Sequence, residues 1–448
     1  MKTIIYDIFW LFIFIIVCAL NCFCQQNNIE QYFWNKKIVP GINYSHIKKI
    51  TENGPLHVHI IKIDLKNGKI KVHPKLANGV IGSLERTSDI ALRNNAIAAI
   101  NGSFFEVRKK LHLPVGFMVI DGQVVNKSIL PRTAIGITDN KEIVFGIPRI
   151  KGYAINRKNN KSVEIWGINR PRKNNEVIIF TKEYGDRTKT NQFGNEIIVS
   201  NDGVVSAITN GNSPIPNDGF VVSLHGWTRE FAKKTNISDK IDLVYDAADE
   251  WKNVKQAITG GPLLVKDGAP VHKESLVNEN FKNDMLPPNS RTAIGVTKDN
   301  ELIFAVVDRR YKLSKGVTYD ELAEIMKQAG AENAIGLDGG HTSTMYLNGN
   351  VVNFPLYGRE AEVSNAIIVT YDGWKLAVAP KVVRALYVYR PPSNELIEAL
   401  RKSADLTPSS YIPRPEDYGL WGLYDIYNRV IKPVIPDIVI TQQTSLKP

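Results

Sequence analysis

The chain contains two copies of one short pattern, and any fold it adopts must accommodate both. RTAIGITDNKEIVFG at 132–146 returns as RTAIGVTKDNELIFAV at 291–306. Each copy follows a hairpin-like segment, GFMVIDGQVV (116–125) and GPLLVKDGAPV (261–271), with Asp-Gly at the turn. Short apolar runs bounded by turn residues read as strands. A solenoid repeats every ~20–50 residues, so the much longer interval here excludes one. The expectation is a duplicated βββ unit in one domain: two related sheet halves with residues 150–255 between them.

The rest of the chain agrees with a strand-dominated fold. HVHIIKID (57–64) and KIKVH (69–73) flank Asn67-Gly68, a strong hairpin signal. AIAAIN (96–101), EVIIF (176–180), VVSAI (204–208), FVVSL (220–224) and IDLVY (241–245) continue the pattern. Helices are few. One candidate covers 83–95. A second follows Thr318, where Thr318 and Glu321 have capping-box spacing, Leu322, Ile325, Met326 and Ala329 share a face, and Gly330 stops it. The predicted class is α+β, with curved, mainly antiparallel β-sheets, an internal duplication and few helices packed on one side.

The N-terminus is read as a leader. The 13 residues Ile8–Leu20 are apolar, which fills a signal-peptide core but falls short of a span. An uncleaved anchor is the alternative, and only through this segment is membrane contact expected. Cys18, Cys22 and Cys24 all lie inside it, so a chain processed after Cys24 has no disulfide, thiolate site or cysteine nucleophile. The net charge of +11 suits anionic polymers. Zinc spacings and arginine-rich helices are absent from the sequence, so no nucleic-acid partner is expected. The expected organisation is a signal peptide at 1–24, a lead-in at 25–54, one domain at 55–372, and a tail with short helices at 373–448. The expected location is secreted or cell envelope.

Four segments carry chemically useful residues: AINGSFF (99–105), the two RTAIG strand starts, VVDRR (306–310) and LDGGHTST (337–344). In the last, Gly339 and Gly340 permit consecutive amides to face one concavity, and Thr342, Ser343 and Thr344 add hydroxyls. Such a loop can hold an anion, and nearby arginines can complement it bidentately. Asp-Gly-Gly is also a common turn, and both readings stay open at this level.

Taken together, AINGSFF, RTAIG, TGGPLLVKDG (259–268), the second RTAIG, AVVDRR, GVTYDELAEIMKQAGAENAIGLDGGHTSTM and EVSNAI (362–367) resemble the phosphodiester glycosidase family in order and spacing. The resemblance runs over about 55–372. It implies a hydrolase that cleaves the glycosidic C–O bond of a sugar phosphodiester, such as an N-acetylglucosamine 1-phosphodiester, in an extracellular or cell-surface glycan. Carried over by position, it implies catalytic roles for Asp308 and Asp338, and substrate contacts from Asn101, Arg291, Arg310, Gly339, Gly340, Thr342, Ser343, Arg359 and Asn365. Arg132, the first-copy counterpart of Arg291, is read as structural. No cofactor is expected, although a single divalent metal on Asp308 or Asp338 is compatible with the sequence. The chain departs from the family at Ser103, Arg309 and His341, where glycine is usual. Those departures keep a second reading open: a non-catalytic module that binds anionic glycans or phosphate.

Overall fold

The computed structural model describes residues 31–374 apart from 52, 128–129, 282–284 and 311–312. The leader expected at 1–24 and the short helices expected in the tail fall outside the described residues. The lead-in contributes two strands, Gln31–Val39 and Ile42–Thr51, which pair antiparallel with each other and then with Gly54–Asp64.

Three sheets share one plan. In sheet 1, of five strands, the order is Asn350–Val351, Met345–Leu347, Ala98–Asn101, Asn365–Tyr371 and Ile70–Leu76. Sheet 2, also of five, runs Gln123–Asn126, Met118–Ile120, Val254–Thr259, Ala134–Thr138 and Ile143–Gly146. Sheet 3, of eight, runs Ala269–Pro270, Leu263–Lys266, Ala331–Gly336, Arg291–Thr297 and Glu301–Val307, then Gly54–Asp64 and the two lead-in strands. Each therefore reads hairpin, central strand, RTAIG-type strand, partner. The chain passes from each central strand into the hairpin of the next sheet: 98–101 into sheet 2, 254–259 into sheet 3, and 331–336 back into sheet 1.

The duplication visible in the sequence is thus part of a threefold arrangement. Its third RTAIG-type strand, Asn365–Tyr371, pairs with Ile70–Leu76 from the start of the domain, which closes the cycle. Equivalent backbone bonds recur in all three units: Gly102 N–H to Asn365 O (3.0 Å), Gly260 N–H to Thr133 O (2.9 Å) and Leu337 N–H to Thr292 O (2.8 Å). The apolar register repeats as well. Ile100 lies opposite Ile367 and Met345, Ile258 opposite Ile135 and Met118, and Ile335 opposite Ile294 and Leu263. All six isoleucines are buried in one cluster, and each contributes roughly 1.5–3 kcal/mol relative to exposure.

Strand alternation sends the other face of each sheet outward, where helices cover it in sheets 1 and 3. Tyr319–Gln328 packs Leu322, Ile325 and Met326 against Ala293, Ile303 and Ala334 of sheet 3. Its capping box forms as expected: Thr318 Oγ1 accepts from Glu321 N–H at 3.2 Å, and Glu321 Oε2 accepts from Thr318 N–H at 2.8 Å. The helix expected over 83–95 is confined to Thr87–Arg93, because Glu85–Arg86 pairs as a strand with Glu362–Val363. The helix His272–Asn278 had no clear sequence signal. Residues 150–255 hold a three-stranded and a five-stranded sheet; their inner side chains merge with those of sheet 2 in a second cluster.

This arrangement puts the fold's stability at the threefold isoleucine core. Replacing Ile258 by Ala is expected to cost about 2–5 kcal/mol in urea unfolding. Exposed Ile237→Ala should stay within about 0.5 kcal/mol. Equal losses at the two positions would remove the core from this role.

Candidate active site

Where the three central strands end, their backbones meet. Asp338 N–H donates to Gly102 O (3.2 Å) and Gly261 N–H to Gly336 O (2.8 Å). A Cβ on Gly102 would stand 2.0 Å from Asn365 Oδ1, and one on Gly260 would stand 2.2 Å from Gly336 O. Nothing larger than glycine fits there. Asn101 and Asn365, expected to touch substrate, are fully buried at this junction instead. Asn101 donates to Asp338 O (2.7 Å) and accepts from Thr292 Oγ1 (2.8 Å) and Thr344 N–H (3.1 Å). Asn365 accepts from Ser103 N–H (2.9 Å) and donates to the Ser103 and Ser364 hydroxyls (2.9 and 2.8 Å). Both amides position the site rather than line it.

The loop that follows Ala331–Gly336 carries Asp338. Its carboxylate Oδ1 accepts from Gly339 N–H (3.0 Å), and the Thr342 hydroxyl also bonds to it. Asp338 is half-buried, and the protein packed around its carboxyl outweighs those two bonds and pushes its pKa up to about 7. The glycine amides do not form the open anion cradle expected from the sequence. Gly339 N–H is taken by Asp338, and Gly340 N–H donates to Ser290 O (2.8 Å), because the loop docks on the start of the neighbouring RTAIG strand. Thr342 Oγ1 donates to Gly339 O (2.9 Å). The hydroxyls of Ser343 and Thr344 are buried without a hydrogen-bond partner, and His341 is exposed.

The two repeat arginines meet beside this loop. Arg291 lies over the Tyr319 ring at 4.0 Å and Arg132 over the Phe281 ring at 3.7 Å; the two rings touch edge to face at 5.9 Å. Burial raises the pKa of the Tyr319 phenol; the charges of Arg291 and Arg132 pull it down, and those of Asp338 and Glu279 push it up. Both guanidiniums and the Asp338 carboxyl are therefore close enough to act on one hydroxyl. Arg291 donates Nε–H to Val317 O (3.2 Å) and Nη2–H to Met285 O (2.7 Å) and Pro287 O (2.9 Å), so most of its fork holds the backbone. Arg132, read as structural from the sequence, has its buried Nη1 without a partner. Glu279 anchors the strand start beside it, accepting from Thr133 N–H (2.9 Å), Thr133 Oγ1 (2.8 Å), Leu263 N–H (2.9 Å) and Ser275 Oγ.

Asp308 stands apart from this cluster. It is fully buried, with its carboxylate held by His59 Nε2 (3.1 Å), Asn353 Nδ2 (3.1 Å) and Phe354 N–H (3.1 Å). His59 Nδ1 in turn meets the Tyr44 hydroxyl at 2.8 Å. Asn353 Nδ2 also donates to Ser343 O (3.1 Å), so Asp308 supports the site loop from behind. Arg310 lies half-buried, 5.7 Å from the Phe354 ring centre; Arg309 reaches Asn289 Oδ1 at 3.4 Å, and Arg359 is exposed. Among the described residues, no three His, Cys, Asp or Glu side chains are grouped as metal ligands. The sequence reading missed Phe281, Tyr319 and Glu279, which look like ordinary loop and helix residues. Arg132 had a signal, its equivalence to Arg291 in the repeat.

Residues 194–370 match the phosphodiester glycosidase family model. An uncharacterized protein of Rickettsia conorii is 27% identical over 248 residues, 50% of this chain and 79% of that protein. Mouse N-acetylglucosamine-1-phosphodiester alpha-N-acetylglucosaminidase is 26% identical over 162 residues, 35% of this chain and only 29% of the enzyme. The crystal structure of a hypothetical protein from Synechocystis shares the fold, with a TM-score of 0.64 at 23% identity over 76% of this chain and 64% of that one. Within the phosphodiester glycosidase match lie Arg291, Asp308, Tyr319 and Asp338; Asn101 and Arg132 lie before it.

The raised pKa of Asp338 has a consequence for stability. A carboxyl that titrates near 7 in the folded chain and near 4 when unfolded keeps its proton in the native state across that window. The native state then binds more protons, so its stability falls as pH rises from about 4 to about 7. Asp338→Asn is expected to remove this fall, measured as the difference between the two proteins in chemical unfolding at pH 4, 5.5 and 7. A difference that does not change across the window would return Asp338 to an ordinary carboxylate.

Proposed function

We propose that this protein hydrolyses the bond between the anomeric carbon and the phosphate oxygen of a sugar phosphodiester. The observation that carries the proposal is the half-buried Asp338 carboxyl, free of an ion pair among the described residues and pushed by its surroundings to a pKa of about 7, beside two guanidiniums that lie over aromatic rings. A group with this pKa can take a proton from water at neutral pH. Arg132, with an uncommitted buried donor, faces the phosphate and stabilises the charge that collects there. In the step, water oxygen bonds to the anomeric carbon and gives its proton to Asp338. The C–O bond breaks with its electron pair on the phosphate. The products are a free sugar and a phosphate monoester, already a stable anion that needs little help from an acid.

Glu279 and Asp308 are each filled by protein donors. Asp338 is thus the carboxylate of the three with capacity to spare, which favours direct attack by water and inversion at the sugar. Asp308 serves as a positioning residue for the 343–354 segment. The proposal gives no metal a role. It includes export through residues 1–24 and action on glycans outside the cell or in its envelope, where the sugar phosphate has the form of an N-acetylglucosamine 1-phosphodiester.

Turnover of a synthetic N-acetylglucosamine 1-phosphodiester in oxygen-18 water is expected to place the label in the sugar. The rate should rise with pH through about 7, and Asp338→Asn should lower it by about 10²–10⁴. Arg132→Lys should lose about 10²–10³ in rate, because lysine cannot replace the planar fork. Label in the phosphate, or full activity in Asp338→Asn, would overturn the proposal.

A further inference from the structure

Among the described residues, four large aromatic side chains are exposed: Trp166 (45%), Phe193 (75%), Trp227 (66%) and Tyr357 (75%). The first three lie at one end of one sheet, in the 150–255 segment and outside the threefold core. The register shows it. Gly167–Ile168 runs parallel to Val177–Phe180, and Trp166 N–H donates to Val177 O (2.9 Å). Val177 pairs with Leu224 and Asn195 also pairs with Leu224, while Gly194 pairs with His225. Trp166 and Phe193 sit directly beyond these paired ends, and Trp227 two residues past His225. Strands lie ~4.8 Å apart and two strands separate those of Trp166 and Phe193, so the rim between them is ~14 Å long, with Trp227 beyond the end of Phe220–His225, one of the two.

Polar groups are fixed among the rings. Arg172 donates to Ser223 Oγ (2.8 Å), Leu224 O (3.2 Å), and Asn191 O and Oδ1 (3.2 and 3.0 Å). A Cβ on Gly194 would fall 2.1 Å from Arg172 Nη1, so glycine is what lets the guanidinium lie across the strand end. Arg170 forms a bidentate pair with Glu176 (2.7 and 3.0 Å). Arg229 is held through Nε by Asn195 Oδ1 (2.7 Å), and both Arg172 and Arg229 face His225 and hold its pKa below the ordinary value, after burial. A contiguous apolar patch would suit another protein surface. Separated flat rings with ordered guanidinium and amide groups between them suit sugar faces and the acidic groups between sugars. Nucleic acid is less well suited because the charge at this rim is partly compensated: Arg170 is neutralised by Glu176.

We propose that this rim is a second carbohydrate site, which holds an extended anionic glycan through Trp166, Phe193 and Trp227, with Arg172 and Arg229 facing its acidic groups. It does not rest on the hydrolytic reading, since the site needs no turnover. The full chain is tested by affinity electrophoresis in gels containing polygalacturonate, a phosphorylated mannan or neutral dextran, with an oligothymidylate as competitor. Both anionic polymers are expected to retard the protein more than dextran does. Phe193→Ala with Trp227→Ala should weaken retardation about tenfold, and Arg229→Gln should reduce the preference for anionic over neutral polymer. The aromatic pair is exposed, so the double variant should unfold at the wild-type urea concentration and cleave a small soluble phosphodiester at the wild-type rate. Asp338→Asn should bind polymer like the wild type, so loss of hydrolysis and loss of this site are read separately. Equal retardation of wild type and double variant, no retardation of either, or displacement by the oligothymidylate at lower concentration than by free glycan would overturn the proposal.

Discussion

The close approach of three strand ends is the constraint on which the rest of the molecule depends. Gly102, Gly260 and Gly336 let the backbones come within hydrogen-bonding distance, and the bonds Asp338 N–H to Gly102 O and Gly261 N–H to Gly336 O tie the units together. Buried polar backbone must be paired. The same residue position therefore bonds in the same way in each unit, and the isoleucine pairs two residues behind are brought into register. The loop bearing Asp338 leaves directly from this junction. Its placement is inherited from the most constrained part of the fold, with Asn101 clamping it to two neighbouring units.

Electrostatics at the site follow from that placement. A carboxyl set in dense protein, with two hydrogen bonds and no ion pair of its own, is neutral more easily than in water. The arginines are not paired with it; each lies over an aromatic ring, which keeps the charge in place, and Arg132 retains an uncommitted donor. Tyr319 sits among these charges and is the helix's first residue, so the capped helix Tyr319–Gln328 fixes one wall of the site as well as covering sheet 3. Asp308 uses the opposite device: His59, Asn353 and the Phe354 amide satisfy it fully, and it works by holding its neighbours still.

Much of this was legible in the sequence, for reasons that differ by residue. The Thr318–Glu321 box and the apolar stripe behind it are local signals, and the helix forms as read. The RTAIG pair shows a duplication because both copies keep the same residues. The third copy has Ser364-Asn365 in place of Arg-Thr, and its partner strand comes from residues 70–76, so neither composition nor chain order reveals it. Arg132 and Arg291 look alike in sequence, yet only the structure shows that Arg291 spends its donors on Val317, Met285 and Pro287 while Arg132 keeps one uncommitted. Asp308 and Asp338 both follow apolar strands. What separates them, the saturation of one and the partial hydration of the other, depends on contacts about 250 residues away in the chain, such as His59 with Asp308.

The account turns on the ionisation of one group. Carbon-13 NMR titration of the aspartate carboxyls in the intact chain, assigned by comparison with Asp338→Asn, reads it directly. The account predicts an Asp338 midpoint near pH 7. A midpoint near 4, the value of a solvated aspartate, would contradict it.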